Sequence, residues 1–176
     1  MNIENITSII TTFATVISLF LVLHQIWLAR RGIEADHLRR KKDATFNGFN
    51  LIREDFRQLN NEILEALELS QDSNLDESHF TKIRNDHILL GKLRTILSYI
   101  ERMAVGVKHD IYDLNILVDL SGTVFVRTYD RYLPYILESR DSSTTYYREA
   151  DDFIKQLRSL RKIRISEIKS ERLSHQ

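Results

Sequence analysis

The chain has no cysteine, one proline and five glycines among 176 residues. Without cysteine there is no disulfide, no thiolate zinc site and no cysteine nucleophile, and a reducing compartment is compatible with that composition. So little proline and glycine leaves few residues to punctuate hairpins or short strands. Net charge is also missing. Lys plus Arg equal Asp plus Glu at 25 each, so no global field recruits nucleic acid or an acidic substrate. A last absence is local: between Glu4 and Arg30 no formally charged residue occurs if His24 is neutral.

That uncharged stretch reads as a membrane span. At about 1.5 Å per residue, a helix from Ile6 to Leu28 matches a hydrocarbon core of about 30 Å. Thr7, Ser8, Thr11, Thr12, Thr15 and Ser18 dilute its first half, but their hydroxyls bond to carbonyls one turn back. Trp27, at the edge of the run, fits an interfacial anchor, with His24 and Gln25 near the boundary. A cleaved export signal needs a positive n-region and a small-residue cleavage site, whereas here the start is MNIEN and the exit is WLARR. Arg30, Arg31, Arg39, Arg40, Lys41 and Lys42 all stand on the C-terminal side. The positive-inside rule therefore puts the N-terminus outside and the body in the cytoplasm. The same six side chains are placed for contact with anionic lipid headgroups.

The remainder carries helical spacing in Leu, Ile, Arg, Glu and Ala, and the fold class expected is all-α: a single N-terminal transmembrane helix continuing into a cytoplasmic helical bundle. Residues 1–29 form the anchor, 30–48 a basic juxtamembrane helix, 49–163 the bundle and 164–176 a frayed basic tail. Phe49, Ile52, Phe56, Leu59, Ile63 and Ala66 recur at intervals of three and four. Such a seam is either one wall of an intramolecular bundle or a coiled-coil face joining two copies. SQDSNLDES, residues 70–78, is the one long run of loop chemistry. Beyond it Leu89, Leu93, Ile96, Leu97, Ile100, Met103, Ala104 and Val107 make the wide apolar face of a central helix. Asp110, with Asp113 in the next turn, has the spacing of an N-cap. A short helix over 111–120 is expected to follow, then another from Ser121 or Gly122 that Pro134 kinks or ends. A last helix starts near Tyr146, with Ala150, Phe153, Leu157 and Leu160 inward.

Leu97, Glu101, Ala104, Gly106 and Asp113, followed by Pro134, Tyr135, Ile136 and Arg140, match a pattern of the form LNxxExxAxGxxxGxxD and then PYIxxxR. In these residues the chain resembles a bacterial family known as a domain of unknown function, whose members look like short proteins with one N-terminal span and a cytoplasmic helical body. Ser98 stands where that pattern has Asn, and Asp110 where it has a second Gly. The resemblance implies a fold and a location in the bacterial inner (cytoplasmic) membrane, with no established activity.

Chemistry is sparsely signalled. Glu101 lies near the apolar face of the central helix, where an unpaired charge costs several kcal/mol, about 3–5 when a partner is missing. Arg127 and Arg140 are basic partners within reach of the pattern, so Glu101, Asp113, Arg127 and Arg140 form a candidate polar junction, either a functional site or an internal ion pair. Arg102 and His109 have an interval seen in small helical ribonuclease domains, where His would exchange protons and Arg stabilise phosphate charge. Arg31 and His37 satisfy the same spacing. No Gly-rich phosphate cradle and no metal-ligand spacing occurs, so no cofactor is expected. The basic stretch KQLRSLRKIR lacks a stacking platform, and nucleic acid is not an expected partner. The expected role is a membrane-anchored scaffold, sensor or effector working through protein contacts, with the bilayer, an unknown protein and a second copy as partners. A membrane-tethered ribonuclease using Arg102 and His109 is the alternative. A third reading is an effector that perturbs the membrane by oligomerising through its span.

Overall fold

A computed structural model describes the backbone of residues 3–142 and 145–174, and side chains at 13, 15–141 and 145–167. Its elements are helices: α1 (Ile3–Ala66), α2 (Glu77–Asn85), α3 (His87–Lys108), α4 (Leu114–Ser142) and α5 (Arg148–Ser174). No strand occurs among the described residues. The chain divides after Arg40 into two compact units.

The first unit is the N-terminal part of α1. Its large apolar side chains are exposed, Phe13 at 67%, Leu19 at 61% and Phe20 at 74%, and this helix is long and apolar enough to cross a membrane. At the end of the apolar run His24 stacks on Trp27 with ring centroids 6.0 Å apart. The Arg31 guanidinium lies 4.0 Å over the Trp27 ring, in the i, i+4 relation that puts both side chains on one face.

In the second unit, residues 41–66 of α1 join α2 to α5 around one core. The central helix α3 contributes Leu93, Ile96, Leu97, Ile100 and Met103, all at most 1% exposed. Helices α3 and α4 both pack on α5, and α2 packs on α3. Phe125 of α4 is the aromatic hub, edge-on to Phe49 and Phe56 and tilted against Phe153. Each fully buried residue of this size contributes about 1.5–3 kcal/mol from the water it sheds. The seam on α1 is thereby used inside the body: Phe49, Ile52, Phe56 and Ile63 are buried, Leu59 is half-buried and Ala66 is exposed. It forms one wall of an intramolecular bundle.

Aspartates do most of the punctuation. Asp76 opens α2 with a reciprocal capping box to His79. Asp86 closes α2 and, through its side chain, caps α3 at Ile88 N and Leu89 N. Two helices end in Schellman turns whose left-handed residue is not glycine. After α1, Glu68 has φ 58° while Leu69 N donates to Leu64 O; after α3, Asp110 has φ 58° while Ile111 N donates to Gly106 O. Asp110 is therefore not an N-cap, as its spacing suggested. It ends the helix before it, at the position where the resembling pattern has glycine, and pairs with Lys41. Asp113 is the cap, accepting from Asn115 N and Ile116 N.

The expected break at Ser121–Gly122 is absent, and α4 runs without interruption from Leu114 through Pro134 to Ser142. Gly122 is buried within the helix, and a Cβ there would make ordinary contact with Cδ of Arg161 at 3.5 Å, so the residue neither opens a turn nor starts a new helix. Pro134 turns its ring to solvent while Tyr132, Tyr135 and Ile136 beside it are buried; packing of those three outweighs the lost hydrogen bond. The last helix begins at Arg148, two residues later than expected. Helix α5 extends as far as Ser174, and Arg164 within it is tied to Asp119 and to Asn115 O; residues 175–176 of the tail expected to fray lie outside the described residues.

One aromatic locks the α3–α4 connection to α1. The Tyr112 ring fills a slot floored by two glycines: a Cβ on Gly106 would lie 2.0 Å from its Cδ2, and one on Gly48 would lie 2.6 Å from its hydroxyl oxygen. Thr45, fully buried on the same stretch of α1, accepts a hydrogen bond from Asp113 N at 2.7 Å. The body therefore begins at Lys41, several residues before the expected boundary at 49.

Candidate functional site

The densest polar cluster of the body lies at the N-terminus of α5. That helix starts with free backbone amides and a partial positive charge. The Glu101 carboxylate of α3 meets them, accepting from Glu149 N at 3.2 Å and Ala150 N at 2.8 Å. Burial pushes the Glu101 carboxyl above its ordinary value; the two amides oppose that shift without cancelling it. Arg140, near the end of α4, grips the turn from the other side. It donates to Tyr146 O at 2.9 Å and Tyr147 O at 3.0 Å, and its Nη1 lies 2.9 Å from Asp151 Oδ2. Tyr147 takes φ 54°, a conformation costly for a residue with a Cβ.

Asp151 also accepts from the Tyr129 hydroxyl. Burial works against ionised Asp151, but hydrogen bonds from Arg140 and Tyr129 prevail and hold its carboxyl below the usual range. Tyr129 moves upward, first from burial and then from the bond to Asp151. At the periphery Lys108 Nζ lies 2.6 Å from Glu149, and Arg94 Nε donates to the Tyr135 hydroxyl at 3.1 Å. The arrangement is a clamp. It ties the first turn of α5 to α3 through Glu101 and to α4 through Tyr129 and Arg140, and it places a carboxyl of raised affinity for protons beside one of lowered affinity.

Of the four residues expected at a polar junction, Glu101 and Arg140 both bind the start of α5, but they do not pair with each other. The partner that Glu101 required is a helix N-terminus. Asp113 caps α4 and Arg127 pairs with Asp72 at 2.9 Å. Tyr129, Tyr147 and Asp151 belong to the cluster and were not anticipated; Tyr147 and Asp151 stand in the run YYREADDF, residues 146–153, that follows PYIxxxR, and Tyr129 lies outside both. Arg102 is exposed, with its guanidinium 5.8 Å from the Tyr99 ring centroid, and His109 is the exposed C-cap of α3. Among the basic residues assigned to headgroups, Arg40 lies 2.7 Å from Asp36 and Lys41 is held by Asp110. Arg30, Arg31, Arg39 and Lys42 are exposed.

A groove of about 530 Å³ lies between α1 and α4, with Phe49, Ile52, Phe56 and Phe125 as its floor and Arg53 and Arg57 among its lining. Leu120 and Val124, 37% and 49% exposed, form its α4 side.

No curated protein and no solved structure matches the chain. A family model described as Domain of unknown function (DUF4760) matches residues 9–161. That match takes in α1 from residue 9, the clamp at the start of α5 and the core between them, and the chain belongs to this family.

Proposed function

We propose that this protein is a single-pass membrane protein of the bacterial inner membrane, with its N-terminus outside and its helical body in the cytoplasm, acting as a scaffold, sensor or effector through protein contacts. The observation that carries the reading is the exposed apolar surface all round the first part of α1, where Phe13, Val16, Ile17, Leu19, Phe20, Leu21, Val22 and Leu23 are each at least 50% exposed. A surface of that kind has lipid as its natural solvent. Arg30, Arg31 and Arg39 follow it, and the Trp27–Arg31 pair marks its edge, as expected where a span meets the cytoplasmic leaflet. The groove between α1 and α4 supports the second half of the proposal. An apolar helix face fits its floor, and acidic flanks on that helix would meet Arg53 and Arg57.

The cysteine-free sequence gives a clean test. Single cysteines at residue 2 and at exposed Ser98 are introduced into the full chain, and intact cells are treated with a membrane-impermeant thiol reagent. Labelling at residue 2, with labelling at Ser98 only after lysis, is the expected outcome. Labelling of Ser98 in intact cells, or release of the chain from membranes by alkaline carbonate, overturns the topology or the anchoring. For the contact role, the span is exchanged for an unrelated apolar helix: retention of biological activity is expected, and its loss returns the activity to the span itself.

A further inference from the structure

A second cavity, separate from the groove and from the clamp, holds an excess of guanidinium. Its volume is about 500 Å³, and it lies between α4, α5 and the loop joining α1 to α2. Thr123, Arg127, Asp130 and Arg131 supply its α4 side at helical spacings of three and four, so they share one face. Arg161 comes from α5, its stem packed over Gly122, and Ser73 and Asn74 come from the loop.

The charges do not cancel. Asp72 is committed to Arg127, and Asp130 to Arg158. Arg131 is 7% exposed, and its guanidinium bonds to neutral oxygens: the Gln71 carbonyl and Asn60 Oδ1, which also line the groove between α1 and α4, and the Tyr132 hydroxyl. No carboxylate pairs with Arg131 or Arg161 among the described residues. A buried cation held by neutral acceptors keeps its full charge and its demand for a counter-ion. Guanidinium groups present rigid forks that match tetrahedral oxyanions bidentately; the Thr123 hydroxyl and the Asn74 amide add neutral donors of the kind that complete a phosphate site, beside the Ser73 hydroxyl, which shares a hydrogen bond with Ser70 Oγ at 2.8 Å.

We infer that this cavity, formed by Arg127, Arg131 and Arg161 with Ser73, Asn74 and Thr123, binds a phosphate group carried by a small soluble molecule or by a lipid head. The anion would lie against Arg131 and Arg161 and draw Arg127 from Asp72. The inference is independent of the contact role proposed above.

Full-length protein in zwitterionic lipid nanodiscs is titrated with inorganic pyrophosphate, with melting temperature and isothermal calorimetry as readouts. In a second arm the nanodiscs contain phosphatidic acid. Saturable stabilisation is expected in at least one arm, and the arm that gives it names the source of the phosphate. Each substitution removes a charge-assisted hydrogen bond to the anion, so Arg161→Gln and Arg127→Gln each weaken binding about tenfold or more. Arg161→Lys, which keeps the charge and loses the fork, weakens it less and serves where Arg161→Gln lowers the helical content. Lys155→Gln removes the same charge from α5 outside the cavity and leaves binding unchanged. Stabilisation in neither arm, or stabilisation that persists in both arginine variants, overturns the proposal.

Discussion

Single residues at helix ends carry stability that can be altered without touching the core. Glu68 occupies a left-handed C′ position that glycine fills without strain. A left-handed backbone costs an L-residue roughly 1–2 kcal/mol, and the extra freedom of glycine in the unfolded chain returns part of that. Glu68→Gly is expected to stabilise the body by about 0.5–1 kcal/mol, read as a higher urea midpoint at unchanged slope. Asp110→Gly gains less, because it gives up the pair with Lys41, worth about 0–1 kcal/mol at a surface. Gly106 behaves oppositely. A methyl group at Gly106 would lie 2.0 Å from Tyr112 Cδ2, and 2.9 Å from Cγ, which cannot swing away as a chain end would. Gly106→Ala is expected to destabilise by about 1–3 kcal/mol, the usual range for overpacking. Tyr112→Ala in the same chain should relieve that clash, so the two substitutions together cost less than their sum in a double-mutant cycle.

Among the elements, the docking of α5 has the most distinctive electrostatics, because its two carboxyls respond to pH in opposite directions. Glu101 is shifted upward by burial. The folded state therefore holds its proton more tightly than the unfolded chain, and its contribution is greatest below the unfolded value of about 4.3 and declines as pH rises through the folded value. Asp151 is shifted downward by Arg140 and Tyr129 in spite of burial. Its contribution is present above the unfolded value of about 3.9 and is lost as pH falls through the folded one. Glu101→Gln keeps an acceptor for the α5 amides and should remove the decline, so the variant gains on the wild type as pH rises from 4 to 7. Glu101→Ala removes the cap and costs about 1 kcal/mol even at pH 4. Denaturant midpoints across that range measure both; parallel profiles for wild type and Glu101→Gln would disprove the assignment.

Sequence reading reached these elements unevenly. The apolar faces of α3 and α5 were legible because burial repeats with the helical period, as at Leu93, Ile96, Ile100 and Phe153. The break at Asp86 was not, since RNDH contains neither glycine nor proline and one aspartate both ends α2 and starts α3. The clamp was half-legible: Glu101 and Arg140 stood out, but the partner of Glu101 is a pair of backbone amides, which carry no side-chain signature.

For the whole molecule, the division at Arg40 separates two kinds of surface. Among the described residues every fully buried large side chain, from Ile63 and Ile83 through Leu93, Ile100 and Met103 to Phe125, Tyr132 and Phe153, lies after that point. The described residues of the first unit supply none of them, and Phe13, Phe20 and Ile33 there are 67–74% exposed. A chain starting at Lys41 keeps the whole core, together with the buried Thr45 that accepts from Asp113 N and the Gly48–Gly106 slot for Tyr112. Residues 41–176 alone are therefore expected to be soluble, strongly helical by circular dichroism and cooperative in urea, as a domain with its own core should be. Starting at residue 57 instead removes Thr45, Phe49, Ile52 and Phe56, and with them two of the three aromatic partners of Phe125. At 2–5 kcal/mol for each large apolar side chain lost, by the order of magnitude seen for truncations to alanine, that loss exceeds the 5–15 kcal/mol of a typical domain at its lower end. The shorter chain should show a broad, non-cooperative transition. If the 41–176 chain does so too, residues before Arg40 contribute to the core and the division fails.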